Sequence, residues 1–154
     1  MEIKQYYLYP STLFASDEPY HIKTILGSCV AVCLWDSALK IGGMNHYMLP
    51  LWNGKGLASP KYGNIAMEKL IEKMINLGSK KYNLQAKVFG GAEVLQQQTI
   101  NYNIGRRNVI MAYESLREHN IPIISQSVKG LSGRKIIFAT NTGEVLHKVL
   151  TKNK

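Results

Sequence analysis

At 154 residues, 45% hydrophobic and 19% charged, the chain has the composition of one globular domain, which excludes long disorder and any need for disulfide or metal staples. No apolar run approaches the roughly 20 residues that cross a bilayer, and the opening MEIKQYYLYPST lacks the basic start and apolar stretch of a signal peptide, so a cytoplasmic protein without membrane insertion is expected. The formal net charge of +9 favours an anionic partner. Its basic residues are spread along the chain without an RNP-like motif, a finger or a basic helix, so nucleic acid is not indicated and an acidic protein surface fits equally well.

In chain order, IKQYYLYP reads as a strand ended by Pro10 and Ser11, and Ala15 to Tyr20 is polar enough for a loop. A second apolar stretch begins at Ile22. Val30 to Trp35, bounded by Gly27-Ser28 and Asp36-Ser37, is the short continuous apolar run of a central strand covered on both faces. After a turn at Asp36 to Leu39, KIGGMNHYML returns as an antiparallel neighbour, with Gly42 and Gly43 at a bulge or a close backbone approach, and Pro50 ends it. Leu51 to Tyr62 is long enough to be a functional loop.

The clearest helix follows. Asn64 is its expected cap, Met67, Leu70, Ile71 and Met74 form a core stripe, and Gly78 supplies the left-handed stop. LQAKVF is a strand running into Gly90-Gly91, and Gln96 to Asn103 reads mostly as a loop. Arg106 to His119 is a second amphipathic helix, stopped near Asn120 before Pro122. The remainder is β in character: Ile121 to Val128, a turn at Gly130 to Gly133, Lys135 to Thr140, a hairpin turn at Asn141 to Gly143, and Val145 to Leu150, before a frayed TKNK tail. About seven strands and two long helices make an α+β fold over residues 1–154. It is expected to be a single-domain layered sandwich of mostly antiparallel sheet with two main helices packed outside.

The sharpest local feature is Leu26-Gly27-Ser28-Cys29 entering the buried strand, with Asn45-His46 on its hairpin neighbour. A cysteine after a glycine turn at the edge of a core, with backbone N–H groups nearby and a histidine in reach, is a nucleophile arrangement. The alternative is a small buried thiol beside a satisfied core histidine. Cys33 lies deeper in the run and reads as packing. On one strand the two cysteines would stand roughly 13 Å apart, too far for a disulfide. Their C-x3-C spacing and the scattered histidines give no zinc pattern, so neither a metal nor a cofactor is expected. Glycines in FGGAEV, followed by IGRRN, invite an anion-loop reading, but the P-loop lysine signature is absent and a strand-to-loop transition packed by glycines is favoured.

TILGSCVAVCLWD followed by IGGMNHYMLP, then KYGNIAMEKLIEKM, AKVFGGAEV, IGRRN, GLSGR and KIIFATNTGEV, resembles in order the CheD family, chemoreceptor glutamine deamidases of bacterial chemotaxis. The resemblance runs from about Ile22 to Val145 and implies a cysteine hydrolase acting on carboxamides, with Cys29 as nucleophile and His46 as base. It also implies a threonine upstream of the cysteine, for which Thr24 is the nearby candidate. At an odd offset of five residues, Thr24 would face away from Cys29 on one regular strand unless the chain bends at Gly27. The implied substrate is the cytoplasmic region of chemoreceptors, and the implied further partner is the CheC phosphatase. The competing readings are a non-catalytic module that binds receptors or CheC, a basic nucleic-acid-binding domain, and methylester hydrolysis through the same thioester. Asn45 could orient the imidazole or make a strand-edge hydrogen bond.

Overall fold

Alternation along one central strand organises the molecule. A computed structural model describes residues 2–93 and 103–151. Strand β4 (Val30–Asp36) sends Val30, Val32 and Leu34 to one side and Ala31 and Cys33 to the other, and both sets are buried. The first set packs against helices α1 (Gly63–Asn76) and α2 (Ile104–Glu118). The second packs against a second sheet, so the layers are helices, five-stranded sheet, four-stranded sheet.

The inner sheet has the order β2-β5-β4-β6-β7, with β2 at Thr12–Ser16, β5 at Ile41–His46, β6 at Leu84–Gly90 and β7 at Ile123–Val128. The outer sheet runs β1-β3-β8-β9, with β1 at Lys4–Tyr7, β3 at Tyr20–Leu26, β8 at Arg134–Ala139 and β9 at Val145–Val149. Only the β1–β3 and β6–β7 pairs are parallel, so the sandwich of mostly antiparallel sheet with helices outside is observed as expected. No described helix is long and apolar enough to cross a membrane.

Three details depart from expectation. The described residues contain nine strands instead of about seven, and Ala15 and Ser16, read as loop, belong to β2. This strand is an edge partner of β5 and only partly buried, so it lacks the apolar run that marks β4. Asn64 does not cap α1, whose N-cap is Tyr62; its side-chain oxygen instead accepts the Trp52 N–H at 3.0 Å, tying down the loop before the helix. Gln96 to Tyr102 and the last three residues of the TKNK tail lie outside the described residues.

The glycines of β5 are a close approach, not a bulge. A Cβ on Gly42 would fall 2.8 Å from the Thr140 Cα, and one on Gly43 would fall 2.7 Å from the Ala15 Cβ. At this edge the two sheets and β2 come together more tightly than any side chain allows.

Candidate functional site

The site begins where β3 leaves one sheet and β4 enters the other. Gly27, Ser28 and Cys29 make that crossing outside any strand, and Cys29 is the half-buried residue immediately before β4. Val30 and Tyr47 exchange both backbone hydrogen bonds, at 3.1 and 3.0 Å, which extends the β4–β5 pairing past the end of β5. In that register Cys29 stands opposite Met48 and diagonal to His46. Diagonal side chains on one face of an antiparallel pair are within reach of each other. Cys29 packs against the cluster between the sheets, on the face that also carries Ala31, Cys33 and Met44.

His46 is 1% exposed and Thr24 fully buried. The Thr24 Oγ1 lies 2.7 Å from His46 Nδ1 and donates to the Leu8 carbonyl at 2.8 Å. A hydroxyl has one proton, and a carbonyl can only accept, so Oγ1 receives its hydrogen bond from Nδ1–H. The Nε2 atom is thereby left with the lone pair. The odd offset between Thr24 and Cys29 is no obstacle, because Thr24 lies in β3 of one sheet and Cys29, past the crossing, leads into β4 of the sheet that faces it. Alternation along one strand does not govern their relation.

Burial dominates both titrations. The Cys29 thiol is pushed above its ordinary value by desolvation, partly offset by its own backbone N–H. His46 is lowered from 6.5 to about 4 by the same cause. With the thiol raised and the imidazole lowered, the pair rests as neutral thiol and neutral imidazole. Between about pH 6.5 and 4 the unfolded chain protonates this histidine and the folded chain does not. The stability that His46 withholds from protonation is complete above 6.5 and is lost as pH falls through that window, on the order of 3 kcal/mol in all. Denaturant unfolding at pH 7 and at pH 4.5 should show this loss in the wild type and a smaller one in His46→Gln.

The loop carrying Cys29 is fastened by three consecutive carbonyls. The Ala92 N–H donates to Gly27 O at 3.0 Å, the Asn108 Nδ2 to Ser28 O at 3.0 Å, and the Gly91 N–H to Cys29 O at 2.9 Å. The motif FGGA is thus a backbone clamp, in keeping with its reading as a glycine-packed transition. Gly90 has φ +107°, and a Cβ there would lie 2.3 Å from the Cys29 carbonyl oxygen. Gly105, at the start of α2, has no room either, since its Cβ would come 2.3 Å from Ala92 O.

Asn108 does more than hold one carbonyl. Its Nδ2 also donates to Met48 O at 2.9 Å, and the backbone carbonyl of Asn108 accepts the Tyr47 hydroxyl at 2.5 Å. One fully buried amide therefore ties the Cys29 loop to the segment that carries His46. Sequence reading passed over Asn108, although it lies in IGRRN at the head of a helix. Replacing it by alanine takes the shared donor from two part-buried carbonyls and is expected to cost about 1–2 kcal/mol of stability. Urea denaturation measures this, with Asn108→Asp as the comparison that keeps size but turns a donor into an acceptor.

The remaining candidates sort by face. Asn45 points away from His46: its Oδ1 accepts the Val32 N–H at 2.9 Å and its Nδ2 reaches Met67 Sδ at 3.3 Å, so it fills the ladder as a strand hydrogen bond. Cys33 is buried, and burial raises its thiol far up. A cleft of about 360 Å³ opens between Leu49–Leu51 and the α2 residues Arg107, Ile110, Met111 and Glu114, so the loop after β5 contributes a wall through Leu51.

These features define a class: a layered α+β protein with a thiol at the crossing between two sheets and an imidazole held by a hydroxyl beside it. The family model described as CheD chemotactic sensory transduction matches residues 48–149. Among curated proteins the chain is 51% identical over 144 residues to the probable chemoreceptor glutamine deamidase CheD of Trichlorobacter lovleyi, covering 94% of this chain and 89% of that one. It is 47% identical over 153 residues to the protein of the same name from Sulfurimonas denitrificans, covering 99% and 98%. With that of Stenotrophomonas maltophilia it shares 44% over 139 residues, 90% of this chain and 70% of the relative. The chain belongs to the CheD family. The family model begins after His46, but the Sulfurimonas alignment takes in the whole segment from Thr24 to His46.

Proposed function

We propose that this chain hydrolyses glutamine side chains of chemoreceptors to glutamate and releases ammonia, with Cys29 as nucleophile, His46 as general base and Thr24 as the residue that orients His46. The observation that carries this reading is the Leu8–Thr24–His46 relay, which fixes the tautomer with Nε2 as proton acceptor on the same interlayer face as Cys29. Identity of 51% and 47% to two relatives named chemoreceptor glutamine deamidases supports the substrate class.

In the proposed reaction His46 Nε2 takes the thiol proton as Sγ attacks the carboxamide carbon. The C=O π pair moves to oxygen, and backbone N–H groups of the Gly27–Cys29 loop are the proposed donors to that charge. Collapse of the adduct breaks the C–N bond. The imidazolium gives its proton to the departing nitrogen, and ammonia leaves a thioester. Water, deprotonated by the same Nε2, then adds to the thioester carbon. Expulsion of sulfur with return of the proton yields glutamate and the resting thiol. Because both groups start neutral, proton transfer belongs to the attack itself and no standing ion pair is needed.

The proposed compartment is the cytoplasm, where free thiols such as Cys29 and Cys33 persist. A CheC phosphatase is the second partner that the resemblance proposes. The reading is tested by incubating a receptor cytoplasmic fragment with the protein: each modified glutamine should release one ammonia and raise the fragment mass by about one unit, the amide-to-acid change. A fragment that binds yet stays unchanged in mass would contradict it.

A further inference from the structure

Charge is unevenly divided between the two sheets. The strands of the outer sheet, β1, β3, β8 and β9, contain Lys4, Lys23, Arg134, Lys135 and Lys148, and none of the ten acidic residues of the chain. Alternation sends Ile22, Thr24, Leu26, Ile136 and Phe138 into the interior. The residues between them face outward, and the register arranges them in rows. Ile25, Lys135 and Lys148 form one row; Tyr7, Lys23, Ile137 and Leu146 form the next. Ile25 is 48% and Leu146 62% exposed, so lysines and large aliphatic side chains share one face that no element of the chain covers among the described residues.

The two ends of this face differ. Its acidic neighbours Glu144, after the β8–β9 turn, and Glu18, paired with Lys4 at 3.0 Å, stand at one end; Glu93, whose N–H donates to Gly130 O and whose carboxylate accepts the Arg106 N–H, stands near the other. That other end is the Cys29 end. The row Ile25–Lys135–Lys148 is one step from Leu26, from which the chain crosses through Gly27 and Ser28 to Cys29. The exposed Lys129 and Leu131, in the turn before β8, continue the same mixture to that rim.

We propose that the outer face of the four-stranded sheet docks an acidic protein surface, the flank of the substrate alongside the glutamine that enters the Cys29 site. This rests on the deamidase reading. Charge complementarity selects the occupant: hydrolysis of a carboxamide leaves a carboxylate, so a substrate modified at one position presents more negative charge to the lysines while the next is handled. The exposed aliphatic residues need an apolar counterpart, which a protein surface supplies and a phosphate backbone does not. The row nearest Cys29 holds neither the arginines nor the aromatic rings on which nucleic-acid binding sites rely.

The test is the double variant Lys135→Glu/Lys148→Glu in the full chain, assayed on a receptor cytoplasmic fragment at low and high salt. The expected result is a kcat/KM lowered about tenfold through KM, kcat at saturation within about twofold of wild type, and a weaker salt dependence. Cys29 alkylation by iodoacetamide should be unchanged, which shows that fold and thiol are intact. A kcat/KM within about twofold of wild type, or a loss confined to kcat, would overturn the docking face. If wild type leaves the fragment unmodified, the deamidase reading fails instead, and direct binding decides: equal affinity of wild type and variant overturns the docking face, and weaker binding by the variant upholds it. Loss of affinity for phosphatidylserine vesicles or an oligonucleotide, with receptor turnover unaltered, would assign the face to those ligands and overturn the protein partner.

Discussion

Cys29→Ala should lower ammonia release from a receptor fragment by at least about a thousandfold, the scale on which removal of a covalent nucleophile is felt. The variant should fold and still bind the fragment. Its stability is protected because the three carbonyls that anchor the loop belong to the backbone of Gly27, Ser28 and Cys29 and survive the substitution. The thiol itself is half-buried and raised by desolvation, so losing it removes a group that the fold tolerates more than one it needs. Parallel measurement of turnover, urea midpoint and fragment binding separates these effects. Turnover retained in Cys29→Ala would remove the nucleophile from the account.

His46→Ala should lower kcat by about a thousandfold or more, since the imidazole is asked to move a proton in both the attack on the carboxamide and the hydrolysis of the thioester. Because the thiol rests neutral, loss of the base cannot be made good by a thiolate already present at pH 7. Raising the pH should partly restore the variant by ionising Cys29 directly, and this rescue distinguishes a lost base from a damaged fold. Thr24→Val removes the hydroxyl that accepts from Nδ1–H and leaves Leu8 O unpaired. A kcat loss of about ten- to a hundredfold is expected there, with Thr24→Ser close to wild type, because the ring loses its fixed tautomer and not its basicity. Steady-state kinetics of the three variants against pH checks both statements.

Much of this arrangement was legible in the residues. The run VAVCLW is apolar at every position because both of its faces are covered, by helices on one side and by the outer sheet on the other. The stripe Met67, Leu70, Ile71 and Met74 packs as helical spacing requires, and Gly78 ends α1 with φ +116°. What escaped was information held between segments distant in sequence. Strand β2 is defined by pairing with β5, and its own residues carry too little apolar character to announce it. The face on which Thr24 stands depends on β3 and β4 entering different sheets, which no single-strand alternation can express. Asn108 looks like any polar residue of an amphipathic helix until Ser28 and Met48 are seen to share its amide. The glycines of FGGA were visible, but the Cys29 carbonyl that excludes a side chain at Gly90 was not.

The most direct measurement of the central claim is the mass of the covalent intermediate. A receptor fragment mixed with the wild-type protein and quenched in acid during the first turnover should yield an adduct whose mass is the sum of the two chains less one ammonia, joined at Cys29 and absent from Cys29→Ala. Deamidated fragment accumulating with no such adduct at any time, and in the Cys29→Ala protein as well, would contradict the assignment of Cys29 as the nucleophile.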